Sequence, residues 1–438
     1  MQTISTHIKE TLILSFPIII GQLGSVLMGA QDNIMIGWVS ELHLSASALA
    51  NSLYFILFVI ALGVTMAISP LVSESIGAER SQDSGKYLYQ GLWASFWVGL
   101  GVSVITEGLI WLLPYMNQPP DEVVLAIPYL RILNLGTIPM LFFLVCKQFC
   151  DGWSDTKTGM YVTFIGLGFN FLFNYLFIFV LKGDLAGAAW ATTLSKLLMF
   201  IIIWYLLKNN AKYVPILSQN KSSFDKKEVF NILKLGLPTG MQIFFELIAF
   251  GGATIMIGWL DNATEARAAH QIAIGTAAIT FMCATGFSIG ASVRVGNFLG
   301  ANERGEMRQA AKAALYLTWL LMSFFSVLML IFQQQIPVLY GVTNPNVAEL
   351  TSILCVFAAA FQLFDGTQSV ATGILRGAQD VRFPTWATLL AYLVICVPFS
   401  YLLAFYYDFG VLGFWWGFLI TLILISVALV GRIFWLIK

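Results

Sequence analysis

Three acidic side chains stand where acids are expensive. Asp32, Glu246 and Asp365 each interrupt a long run of apolar residues. A carboxylate near the centre of a lipid-embedded helix costs about 2.5 to 3.5 kcal/mol on insertion scales, and the acids kept at that cost are usually functional. Glu74, Glu107 and Asp151 lie nearer the ends of their runs, where they could reach water, so a structural role suits them as well as a functional one. Lys196 is the only basic residue well inside an apolar run, so at most one of the three central acids has a fixed basic partner there. The others need a proton, a metal cation or a cationic ligand. Lys196 itself is expected to snorkel, its stem along lipid and its ammonium at the interface.

Other polar residues enlarge the set. Asn170 and Asn174 are four apart and share one helix face, and Thr192 belongs to the same half of the chain as Asp32. A carboxylate with amide and hydroxyl oxygens is the kind of site hard cations accept, although the same groups also serve as hydrogen bonds between packed helices. Aromatic residues make up 14% of the chain, and aromatic faces beside uncompensated carboxylates suit a lipophilic cation. His270, in RAAHQIA, reads as a packed interior histidine. The five cysteines, with no CxxC pair, read as packing residues. The chain has no HExxH, GxSxG, Walker A or dinucleotide-binding pattern. An enzyme is therefore not expected, nor a cofactor. An intramembrane hydrolase using Asp32 and Asp365 is the enzymatic alternative, and no acid-dyad spacing supports it.

The elements that must position these residues follow from composition. The 438 residues are 58% hydrophobic and only 11% charged, against about 25% charged in ordinary soluble domains. Mean hydropathy is +0.80. A separate soluble or signalling domain has no room, and a net charge of zero gives no reason to expect a nucleic-acid partner. At about 20 apolar residues per crossing, we place twelve spans at 12–38, 47–73, 88–113, 124–149, 160–181, 186–207, 231–258, 266–293, 308–332, 346–375, 384–406 and 410–436. The first is too long for a signal peptide and is read as retained. The polar stretch 208–229 divides the chain into two six-span lobes, 1–207 and 230–438. Counting Lys and Arg by loop puts 19 on one side and 3 on the other, so both termini and the linker are expected in the cytoplasm.

The halves repeat. MIGW at 35–38 recurs at 256–259, and Pro17 stands the same 221 residues before Pro238. IGAER at 76–80 answers LGANER at 299–304, DGWSD at 151–155 answers LRGAQD at 375–380, and Gly187 with Trp190 answers Gly413 with Trp416. An even number of spans per half makes the repeat parallel, with its axis along the membrane normal. Pro17 and Pro238 each remove a backbone hydrogen bond from the first span of a lobe, which marks them as candidate hinges.

Together, the paired MIGW strings, Pro17 ahead of Asp32, Glu246 in MQIFFELIAFG, RAAHQIA, and FDGTQSVATGILRGAQD at 364–380 resemble the multidrug and toxic compound extrusion family. The pairing of Glu246 with Asp365 resembles its NorM-like bacterial branch. The resemblance implies a V-shaped, all-α pair of pseudo-symmetric six-helix lobes in the inner membrane, a monomer. Its implied activity is export of toxic organic cations and other drugs in exchange for Na+ or H+. Asp32, Asn170, Asn174 and Thr192 match the cation set of the N-terminal lobe, and Glu246 and Asp365 match the acids of the C-terminal lobe, where Na+ is expected. Some members carry Asp at the position of Asn174, so fewer acids are available here for a proton-only relay. Some carry Tyr at the position of Phe361, so tyrosine coordination from that position does not carry over. A lipid-linked-sugar flippase of the same broad superfamily is the alternative, and it would want Arg and Lys in its cavity where this chain has acids.

Overall fold

The computed structural model describes residues 3–220 and 223–437. Lys221 and Lys438, counted above among the basic residues, lie outside the described residues. Among those described, all regular structure is helical, as it must be where no water can satisfy a lipid-facing backbone.

Among the described residues eleven helices are long and apolar enough to cross a membrane, and a bent pair counted as one crossing makes twelve, each overlapping its expected range. They are α1 (Ile4–Gly37), α2 (Glu41–Gly77), α3 (Ser81–Tyr115), a fourth crossing, α5 (Thr156–Val180), α6 (Asp184–Asn209), α7 (Lys226–Ile257), α8 (Ala263–Gly300), α9 (Arg304–Ile331), α10 (Pro345–Gly377), α11 (Arg382–Tyr406) and α12 (Val411–Leu436). The fourth crossing, α4, consists of Pro120–Leu135 and Thr137–Gly152, bent by 41°.

The compact units do not divide at the polar stretch. One contains 20–241 and the other 1–19 with 242–438, so the boundaries fall inside α1 and α7, just beyond Pro17 and Pro238. Glycines explain this. A Cβ on Gly63 of α2 would collide with the backbone of Gly240, and one on Gly236 with Val64, so the first part of α7 lies hard against α2. A Cβ on Gly286 of α8 would collide with Ile19, and one on Gly290 with Ser15, so the first part of α1 lies hard against α8. Gly63 and Gly286 hold corresponding places in the repeat. The stretch after α6 also packs onto its unit, through a short helix at Val214–Gln219. Lys86 pairs with Glu228 at 2.8 Å, and the Gln90 amide donates to the Ser223 carbonyl at 2.8 Å.

The repeated Gly187 and Gly413 have corresponding jobs. α5 ends in a π-type widening at Tyr175–Val180 and α11 in one at Leu402–Tyr406. A Cβ on Gly187 would strike the Phe177 carbonyl, and one on Gly413 the backbone at Leu403 and Ala404. In each unit the sixth span is thereby seated against the end of the fifth.

Candidate cation-binding sites

In the unit of residues 20–241, Asp32 of α1 meets the three polar residues expected near it. Asn174 Nδ2 donates to Asp32 Oδ1 at 2.5 Å and Thr192 Oγ1 donates to Asp32 Oδ2 at 3.0 Å. Asn170 Oδ1 accepts from Asn174 Nδ2 at 3.2 Å and from Gln31 Nε2 at 2.7 Å. The four-residue spacing stacks the two asparagines on one face of α5. Gly187 brings α6 close enough for Thr192 to reach the same carboxyl from the other side. Both asparagines are fully buried, whereas Asp32 is half-buried.

The carboxyl of Asp32 is thus met by two neutral donors. Among the described residues no Lys or Arg lies within ion-pair distance of it. The buried Asn174 Oδ1 has no hydrogen-bond partner, nor has Asn170 Nδ2. A spare acceptor oxygen on the very amide that donates to a carboxylate fits a small hard cation with oxygen ligands.

Lys196 does not lie along lipid. One turn beyond Thr192 on α6, its ammonium stands 5.0 Å from the centre of the Tyr54 ring and acts electrostatically on Asp32. Tyr54 is buried and its hydroxyl pairs with Thr137 Oγ1 at 3.1 Å. An aromatic face offers the half-buried ammonium an attraction of about 1 kcal/mol, which helps to hold a lone cation inside the unit.

In the other unit, Glu246 of α7 and Asp365 of α10 interact electrostatically with each other. Gln368, one turn beyond Asp365, donates from Nε2 to Glu246 Oε2 at 3.4 Å, and its Oε1 accepts from the Tyr392 hydroxyl at 2.9 Å. Asp365 is buried and receives no hydrogen bond from the described residues. Close packing holds α10 in place: a Cβ on Gly373 would collide with Ser288, whose Oγ donates to the Ser369 carbonyl at 2.7 Å. Phe361 packs edge-on against Phe250 and Trp415, so it walls the site without coordinating anything. A tyrosine is nonetheless present, Tyr392 from α11, within electrostatic reach of both acids.

His270 is interior, as expected: 1% exposed, edge-on to Trp415, with Nε2 3.4 Å from Thr254 Oγ1. Asp151 does not reach water. It is fully buried rather than wet, and neither of its carboxyl oxygens has a hydrogen-bond partner. Its nearest opposite charge in effect is Lys147, itself 5% exposed. The end of α4 is covered by its own unit, which an apolar-run boundary cannot reveal. Among the described residues no three His, Cys, Asp or Glu side chains gather into a metal centre, so the acids sit as one plus two.

Sequence and structure comparisons bear on the family and the fold. The MatE family profile matches twice, at residues 17–176 and 238–402, each match opening on one of the paired prolines. The multidrug resistance protein MdtK of Yersinia pseudotuberculosis is 31% identical over 453 positions, covering 100% of this chain and 97% of that protein. MdtK of Yersinia enterocolitica is 31% identical over 449 positions with the same coverage. Among solved structures, the eukaryotic MATE transporter AtDTX14 superposes with a TM-score of 0.91 at 18% identity, covering 99% of this chain and 96% of that one. An outward-facing multidrug resistance MATE family transporter of the MOP superfamily superposes with a TM-score of 0.89 at 20% identity, covering 99% and 97%.

Proposed function

The chain belongs to the MatE family of multidrug and toxic compound extrusion transporters, and on that premise we propose that it works as a secondary antiporter, exporting organic cations and other lipophilic drugs in exchange for Na+ or H+. It is a multi-pass membrane transporter for multidrug efflux and not an enzyme. We place it in the plasma membrane, with both termini and the linker in the cytoplasm, the orientation favoured by the 19 to 3 basic bias. A monomer is the working unit.

One observation carries the ion coupling: the Asp32 carboxyl, held by the neutral donors Asn174 and Thr192, beside an Asn174 oxygen with no partner. A charge so placed awaits a mobile cation. Proton linkage is assigned to Asp32, and Na+ to Glu246 and Asp365, whose two carboxyls share one unit. Gln368 and Tyr392 orient that pair. Pro17 and Pro238, next to the unit boundaries, are the hinges.

Coupling then needs no direct contact between ion and drug. If the ion favours the outward-open state and the drug favours the state without the ion, each weakens the other's binding by the same factor. The test is drug affinity in detergent at fixed high pH while Na+ is titrated, in the parent and in Glu246→Gln and Asp365→Asn. Na+ weakens drug binding in the parent and loses that effect in both variants. An unchanged affinity across the parent titration rules out Na+ antagonism and leaves the proton as coupling ion.

A further inference from the structure

The amide of Gln368 is held from two sides. Its Nε2 donates to Glu246 Oε2 at 3.4 Å, and its Oε1 accepts from the Tyr392 hydroxyl at 2.9 Å. Gln368 is 5% exposed and Tyr392 is fully buried, so water cannot replace either partner, and leaving one end of the amide unpaired would be costly.

The two bonds fix each other. An ionised carboxylate has no hydrogen to give, so it must be faced by the amide nitrogen, and the amide oxygen is left for the Tyr392 hydroxyl. The orientation of Gln368 therefore depends on whether Glu246 carries a bare charge. A Na+ beside Glu246 is repelled by the amide hydrogens and attracted by the amide oxygen, an ordinary ligand for a hard cation. A proton on Glu246 acts the same way, because the carboxyl becomes a donor and needs an acceptor. In both cases the amide turns about its last bond. Nε2 then donates to the Tyr392 oxygen, and the hydroxyl hydrogen must leave Gln368 for another acceptor. Asp365 receives no hydrogen bond from the described residues and acts electrostatically on Tyr392, so it can supply that acceptor. The titratable groups acting on Tyr392 are Glu246, Asp365 and Cys396, and Glu246 and Asp365 act on each other.

Tyr392 is well placed to pass the change on. It stands in a π-type widening of α11 at Leu390–Cys396, closed by the Val397 amide bonding back to the Tyr392 carbonyl. Wide turns of this kind are rare and are frequent at functional sites. The Tyr392 ring is braced by Phe250 of α7, with centroids 6.0 Å apart, so the hydroxyl can turn while the ring stays. The repeat shows that the scaffold does not require this arrangement. At the offset that pairs Asp365 with Met140, Gln368 answers Phe143 and Tyr392 answers Leu167.

We propose that Gln368 is an amide switch that reads the occupancy of Glu246 and reports it to Tyr392 on α11, its oxygen becoming a ligand when the occupant is Na+. The ligand role rests on the assignment of Na+ to Glu246 and Asp365; the turn of the amide does not.

The experiment is difference infrared spectroscopy on the full chain in lipid, with isotope-labelled tyrosine to identify the phenol C–O stretch, which reports the hydrogen bonding of the hydroxyl. At fixed high pH, Na+ shifts one tyrosine band in the parent, and acidification without Na+ shifts the same band. Y392F lacks the band, which assigns it. Q368M keeps the side-chain length and removes both polar atoms. It binds Na+ about 5-fold more weakly, about 1 kcal/mol for one lost oxygen partner, and shows no tyrosine shift even at saturating Na+. An unchanged melting temperature checks that Q368M is folded, and E246Q loses the Na+ shift although Gln368 and Tyr392 remain. A Tyr392 shift that survives in Na+-saturated Q368M, or a parent with no Tyr392 shift on either treatment, would overturn the switch. A parent that shifts on acidification and binds no Na+ would overturn the Na+ assignment and uphold the switch.

Discussion

Replacing Asn174 with Asp asks whether the Asp32 cluster is a cation site or a packing contact. The amide nitrogen of Asn174 lies 2.5 Å from Asp32 Oδ1, so an isosteric carboxylate puts two like charges with centres about 4 Å apart. Their repulsion is about 4 kcal/mol at the effective dielectric of a protein surface and about 1 kcal/mol in bulk water. A cation placed between them turns that cost into attraction. Because Asp32 is half-buried, part of the effect is lost to solvent, and we expect Asn174→Asp to turn this proton-linked site into one that also takes Na+, tightening the weak Na+ binding of the single carboxyl about 100-fold, roughly 2.7 kcal/mol. The assay is calorimetric Na+ titration at high pH in an Asp365→Asn background, which silences the other acid pair. The exchange Asp32→Asn with Asn174→Asp restores a single carboxyl and returns the affinity to the parent value, closing a double-mutant cycle. A folded Asn174→Asp protein with parental Na+ affinity would refute the cation-site reading and leave the asparagines as packing groups.

Asp32→Asn abolishes drug export in everted vesicles without lowering the melting temperature, because the variant loses the carboxylate but still offers an acceptor to Thr192. Normal export by that variant would remove Asp32 from the coupling scheme. Lys196→Met takes away the ammonium 5.0 Å from the Tyr54 ring that competes for Asp32, so cation binding at Asp32 tightens several-fold and its salt dependence weakens. Identical titration curves for Lys196→Met and the parent would show that Lys196 serves only to pack.

The three acids were legible because a carboxyl in an apolar run is an anomaly that a sequence displays directly. Gln31, which bonds Asn170, and Gln368 and Tyr392 beside the acid pair were not, since a glutamine or tyrosine within a span is ordinary and its partner lies on another helix or faces another way. The twelve spans were legible because bilayer thickness fixes their length. The unit boundaries were not, because composition records where a chain leaves the membrane and says nothing of which neighbour each half of a helix packs against. Gly63 and Gly286 carried that information, but a glycine in a span becomes interpretable only once the opposing backbone is seen. The repeat itself sharpens the distinction between scaffold and site. Gly187 and Gly413, Gly63 and Gly286, and the two prolines fall in corresponding places, yet Asp32 corresponds to Ala253, Glu246 to Ser25 and Asp365 to Met140. Duplication thus built two matching units whose acids occupy unmatched positions. One unit presents a single carboxyl with amide and hydroxyl donors and the other two mutually repelling acids beside a glutamine and a tyrosine. Two sites so different in charge and ligand set have no physical reason to prefer the same ion, and a transporter built this way can respond to Na+ in one unit and to protons in the other.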